Sequence, residues 1–151
     1  MTCTYSWLRN WNGVEETRKG PNMNDAQKMV LEFHQQFGIY VSGNAMVPDE
    51  KTEALRVRLI QEEFDELKVV LKNKDFPAIA KELADLLYVV YGTAVSCGID
   101  MEPVFKEVHR SNMSKIGGYK REDGKWVKPS TYSPANLEPI LRPQIPQNSC
   151  G

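Results

Sequence analysis

The stretch KELADLLYVVYGTAVSCG, residues 81–98, decides the fold. From Leu83 to Val95 it is apolar nearly all round a helical wheel, and a helix of that kind belongs in the middle of a bundle. Asp75 stands upstream as an N-cap, Pro77 is tolerated in the first turn, and Gly98 suits the C-terminal turn. The run falls short of the roughly 20 apolar residues that a membrane span needs, and Asp85 interrupts it. Asp85 shares its stripe with Val89 and Gly92, so it is expected to be buried. An unpaired carboxylate in such a place costs several kcal/mol, so it must be protonated, paired with a base or bound to a metal.

Three further helical patterns flank this one. Asn24 caps a helix in which Ala26, Met29, Val30, Phe33 and Phe37 recur at helical spacing, stopping at Gly38. After a loop through Ser42, Gly43, Asn44 and Pro48, a second runs from about Asp49 to Lys72 with Leu55, Leu59, Phe64, Leu67 and Leu71 on its apolar stripe. Asp100 caps a fourth, with Pro103 in the first turn and Val104, Phe105 and Val108 facing inward. No β-alternation of useful length appears. Long helices with short connections predict an all-α bundle of four to five helices. The domain spans residues 24–133, between an extension over 1–23 expected to be poorly ordered and a proline-rich tail over 134–151 expected to be extended or disordered.

At 151 residues the chain suits one domain with a real core. A net charge of −1 gives no global attraction to nucleic acid or to an anionic membrane, so neither is expected as a partner. Cys3, Cys97 and Cys150 form neither a disulfide framework nor a zinc spacing. The first dozen residues lack the apolar segment of a signal peptide. A reducing, cytoplasmic setting follows.

The second helix carries Glu62-Glu63-Phe64-Asp65-Glu66, and the third carries Glu82-Leu83-Ala84-Asp85. Spacings of three and four put these acids on neighbouring positions of one helix face. Taken alone, Glu62, Asp65 and Glu66 read as a solvated face, since like charges at this spacing cost only about 0.2–0.5 kcal/mol. Asp85 beside Glu82 in an apolar helix shifts that weighing toward a metal. The donors are all hard oxygens, which suit Mg²⁺, Mn²⁺ or Ca²⁺. The Glu-x-x-His pair of di-iron bundles is missing, and His34 and His109 are single, which argues against zinc. Four or five carboxylates become sensible when two or more Mg²⁺ share them with a polyphosphate. From Arg110 to Lys128 the chain also offers a basic, glycine-rich segment placed to fold over such a ligand. No Walker or dinucleotide fingerprint is present.

Glu62-Glu63-x-x-Glu66, then fifteen residues, then Glu82-x-x-Asp85, resembles the signature of the MazG-like all-α nucleoside triphosphate pyrophosphohydrolases. Residues 84–92, Gly98-Ile99-Asp100, residues 104–115 and Asp123-Gly124-Lys125-x-x-Lys128-Pro129 are similar to its dimeric dUTPase-like branch. The similarity covers about residues 24–141. It implies a homodimer that cleaves a (d)NTP, dUTP foremost, to the monophosphate and pyrophosphate with Mg²⁺, for which Mn²⁺ can substitute. It implies Glu63, Glu66, Glu82 and Asp85 as metal ligands. Glu62 would take a further ion or orient the attacking water, which makes Glu62 and Glu63 the catalytic acids. Asn112 and Lys115 would contact phosphate or sugar, and Arg121, Lys125 and Lys128 would close on the phosphates. His34, Phe33 and Tyr88 are the candidates for the nucleobase. Two rivals stand beside this expectation: phosphoribosyl-ATP cleavage on the same fold, and a non-catalytic helical dimer binding a basic partner or Ca²⁺.

Overall fold

A computed structural model describes residues 23–144. The extension over residues 1–22, the end of the tail from 145, Cys3 and Cys150 lie outside the described residues.

Each of the four long helices starts where a short polar side chain can cap it. Helix α1 (Asp25–Gln36) follows Asn24, whose side chain accepts from Gln27 N; α2 (Glu50–Asn73) follows Asp49, which accepts from Thr52 N. Helix α3 (Phe76–Ser96) is capped by Asp75 on Ala78 N, and α4 (Met101–Met113) by Asp100 on Glu102 N. These side chains satisfy amide groups that a helix leaves orphaned at its start. Lys74 closes α2 in the left-handed conformation, its N–H reaching Leu71 O and Val70 O. Gly98 does the same work after α3, at φ +64, where a Cβ would stand 2.1 Å from Asn44 O.

With only Lys74 and Asp75 between them, α2 and α3 pack as an antiparallel pair, and α1 lies on α3. Val30, Leu67, Ala94, Val95 and Val104 are buried. Buried Gln27 ties α1 to the α3–α4 corner, donating from Nε2 to Ile99 O at 2.6 Å and accepting from Met101 N at 3.0 Å.

Beyond α4 the structure departs from expectation. The basic segment forms a small hairpin, β1 (Tyr119–Lys120) with β2 (Trp126–Val127), antiparallel with Tyr119 opposite Val127. Residues 138–144, expected as extended tail, coil into the short helix α5 (Glu138–Leu141) and a 3₁₀ turn, Arg142–Gln144. Ala45 N donates to Gln144 O and Asp100 N to Gln144 Oε1, so this segment caps the end of the bundle where the α1–α2 loop lies. Pro139 sits in the first turn of α5, where its missing N–H costs nothing.

Helix α3 is not buried all round. Leu83, Leu87, Tyr88 and Val90 are exposed, because α1 and α2 cover only part of its circumference. The stripe of α2 divides likewise: Leu67 is buried, whereas Phe64 and Leu71 are exposed.

Candidate active site

Glu63 and Glu66, one turn apart on α2, meet Glu82 on α3. Each offers a carboxylate oxygen, and the three oxygens lie within 4.8 Å of one another. The spacing of three turns both α2 acids toward the neighbouring helix. Glu82 is buried, at 7% exposure, and its Oε2 has no hydrogen-bond partner among the described residues. Burial first, then the charges of Asp85, Glu66 and Glu82, push the Glu63 carboxyl above its ordinary value.

Asp85 is not the buried acid that its neighbours in sequence suggest. Its side chain is 41% exposed, and Glu82 occupies the covered position one turn earlier. The acids also have a cation: Lys81 Nζ lies 3.0 Å from Glu82 Oε1 and 2.6 Å from Asp85 Oδ2. Hydrogen bonds to Asp85 and then Glu82 hold the Lys81 ammonium protonated well beyond its usual range. One ammonium against four carboxylates leaves the site strongly negative, and the orphaned Glu82 Oε2 lacks a positive neighbour that a divalent cation would supply. Three converging hard oxygens and an unpartnered buried one fit Mg²⁺ or Mn²⁺.

The remaining candidates are dispersed. Glu62 lies outside the cluster on an exposed face, with Arg58 Nε 3.8 Å from its Oε1. Asn112 and Lys115, at the end of α4, join each other, Lys115 Nζ donating to Asn112 Oδ1 at 2.7 Å. Arg121 is turned to Asp123 at 3.0 Å. Lys125 stands in the hairpin turn, where Gly124 adopts φ +84 and Arg121 N donates to Lys125 O. Lys128 lies over the Tyr132 ring, 4.1 Å from its centroid. His34 is buried at 2% exposure, its Nδ1 3.1 Å from Tyr40 O, and burial holds its pKa below the ordinary value. Phe33 and Tyr88 meet edge to face at 5.6 Å and remain partly exposed.

The sequence matches the family described as Phosphoribosyl-ATP pyrophosphohydrolase over residues 30–112, more than half of the chain. The chain belongs to this family. Its helices are thus an all-α nucleotide pyrophosphohydrolase-type fold related to MazG, and the family acts on phosphoanhydride bonds. The matched span holds every acid of the cluster and stops at Asn112, ahead of Lys115 and the hairpin. A comparison with curated proteins finds no match.

Three residues of this family member sit in places that sequence reasoning missed. Lys81 was visible only as a neighbour of the acids; its spacing of four to Asp85 was the available signal. Trp126 pins the hairpin to the end of α4 by donating from Nε1 to Lys115 O at 2.8 Å. Arg56 is buried at 5% exposure. In sequence it is one of several cations on a charged helix, though it stands seven residues before Glu63 and therefore on the same face.

Proposed function

We propose that this protein is a Mg²⁺-dependent pyrophosphohydrolase that cleaves a nucleoside triphosphate, dUTP foremost, to the monophosphate and pyrophosphate. The observation that carries the reading is the convergence of Glu63, Glu66 and Glu82 around a buried carboxylate oxygen without a partner. Glu63, Glu66, Glu82 and Asp85 hold the metal, and Mn²⁺ can replace Mg²⁺. Bound there, the cation supplies Lewis acidity toward phosphate oxygens and water.

The chain's own groups do the rest. Glu62, or a carboxylate beside it, is the group that would take a proton from water attacking the α-phosphorus. Glu62, on the outer face, can also hold a further ion or steer water at the edge. Lys81 neutralises part of the cluster's charge and keeps Glu82 and Asp85 together. Asn112, Lys115, Arg121 and Lys125 meet the phosphates, Arg121 giving up its ion pair and Lys115 its hydrogen bond for charge-assisted bonds to the substrate. The partners given up are near in sequence: Asp123 for Arg121, and Asn112 for Lys115.

We read the working unit as a homodimer in the cytoplasm. Val57, Phe64 and Leu71 recur every seven residues on α2 and are exposed, as are Leu83, Leu87 and Val90 on α3. Such contiguous apolar stripes support a second copy packing on the α2–α3 pair.

The matched family favours one other substrate, phosphoribosyl-ATP. A panel of dUTP, dCTP, dTTP, dATP, dGTP and phosphoribosyl-ATP, assayed for pyrophosphate release with and without Mg²⁺, decides. Fastest turnover of dUTP supports the proposal. Exclusive turnover of phosphoribosyl-ATP refutes it, and equal rates for all bases remove the preference for dUTP.

A further inference from the structure

Asp85 stands one turn along α3 from Glu82, yet it falls outside the cluster that Glu63, Glu66 and Glu82 form. Residues three apart on a helix carry their Cβ atoms roughly 5–6 Å from each other, so the Asp85 carboxylate is within a rotamer's reach of Glu82. Lys81 stands between them. Its ammonium lies 2.6 Å from Asp85 Oδ2 and 3.0 Å from Glu82 Oε1. Glu82 thus gives one oxygen to the lysine and keeps the other, the buried Oε2, without a partner among the described residues.

This bridge is a weak one. A lysine placed N-terminal to its acid at i, i+4 is the less favourable orientation on a helix. The Lys81 and Asp85 side chains are 64% and 41% exposed, and exposed ion pairs contribute little to stability. An ammonium is a point charge on a flexible stem, so it can leave without disturbing the helix that carries it. A divalent cation competes for the same place. Mg²⁺ holds its oxygens at about 2.0–2.1 Å, and an ion bridging Glu82 and Asp85 would stand where the ammonium does. Two cations cannot share one pair of oxygens at such distances.

We propose that Lys81 is a displaceable counter-cation that withholds Asp85 from the metal site, Asp85 becoming a ligand only as the ammonium swings out. The inference rests on the metal-dependent reading above. Lys81 is then a positioning residue, acting on the metal through Asp85. It offsets the charge of the acids before the cation arrives, and it sets the cation concentration at which the site fills.

The test is calorimetric titration of Mg²⁺, without nucleotide, into wild type, Lys81→Gln, Asp85→Asn and the double variant. Lys81→Gln frees Asp85 and should tighten Mg²⁺ binding about tenfold. In the Asp85→Asn background the same substitution should change affinity by about twofold at most, because the acid it acts through is gone. Lys81→Arg keeps the charge and should bind Mg²⁺ no more tightly than wild type. Unchanged or weaker affinity in Lys81→Gln overturns the inference. So does tightening that persists in both backgrounds, which marks a general effect of charge. Should a variant fail to fold, the wild-type protein answers by ¹⁵N–¹H NMR of its lysine ammonium groups. The Lys81 Nζ resonance should move to the position of an exposed lysine as Mg²⁺ saturates, and a resonance that stays fixed is contradictory. Wild-type Mg²⁺ binding that ignores Lys81 defeats only this inference. Absence of Mg²⁺ and Mn²⁺ binding in every form defeats the metal reading beneath it, and this inference with it.

Discussion

Replacing Glu82 by Gln removes the buried charge from the acidic cluster while keeping its shape. The carboxylate oxygens of Glu63, Glu66 and Glu82 lie within 4.8 Å of one another. At that separation each like-charge pair costs ~0.9 kcal/mol with the dielectric of water and ~3.5 kcal/mol with an effective dielectric of about 20. Glu66 is exposed, which pulls its share toward the lower figure, and Lys81 at 3.0 Å offsets part of the rest. A net gain of about 1–2 kcal/mol on neutralising Glu82 follows. For a chain of this size that raises the melting temperature by about 2–8 °C. The assay is thermal unfolding followed by circular dichroism, in EDTA and in saturating Mg²⁺. In EDTA, Glu82→Gln should melt above the wild type. In Mg²⁺ the wild type should gain stability, about 2.7 kcal/mol at a hundredfold excess over its dissociation constant, and the variant should gain little. A variant that melts below the wild type in EDTA, or that keeps the full Mg²⁺ shift, refutes the reasoning that repulsion at this site is relieved by a cation.

Other residues give independent checks. Asp85→Ala should lower turnover by about a hundredfold or more and leave the helical circular dichroism unchanged; unchanged turnover removes Asp85 from the site. His34 has a folded pKa below its unfolded value near 6.5, so the unfolded chain binds the extra proton as pH falls. Stability that is complete above pH 6.5 should therefore decline in acid, and His34→Gln should flatten that decline in pH-dependent melts. Trp126→Ala cuts the tether from the hairpin to Lys115 O, so KM for the triphosphate should rise severalfold with a smaller change in kcat, measured by steady-state kinetics. Gly98→Ala places a methyl 2.1 Å from Asn44 O at φ +64; the backbone conformation alone costs about 1–3 kcal/mol, and a denaturant midpoint equal to that of the wild type would contradict the close approach.

The helices were legible because each begins at a residue whose side chain can reach back to its own amide groups: Asn24, Asp49, Asp75 and Asp100. Such signals are local, and so is the spacing that brings Glu63 and Glu66 to one face. What depended on neighbours distant in sequence was read less well. Periodicity made α3 look buried on all sides, but how much of a helix is covered depends on how many partners it has, and among the described residues Leu83 and Leu87 stay about half exposed. For the same reason Asp85 and Glu82 exchanged places as the buried acid. Glu62 and Glu63 are adjacent in sequence and differ by one step of helical rotation, enough to send one toward α3 and the other toward Arg58. The α5 turn was hidden by its prolines, which suggest extended chain unless a first-turn position is recognised. Arg56 gave no sign of burial, because a lone cation on an otherwise charged helix face is ordinarily solvated.

The central claim is that carboxylates on α2 and α3 assemble a metal-dependent site for water to attack the α-phosphorus of a triphosphate. Hydrolysis of dUTP in ¹⁸O-water, with the products resolved by ³¹P NMR in Mg²⁺ and again in EDTA, tests it directly. The account predicts the label in dUMP, unlabelled pyrophosphate, and no turnover in EDTA. Label in the pyrophosphate, release of dUDP and phosphate, or equal rates with the metal chelated would contradict it.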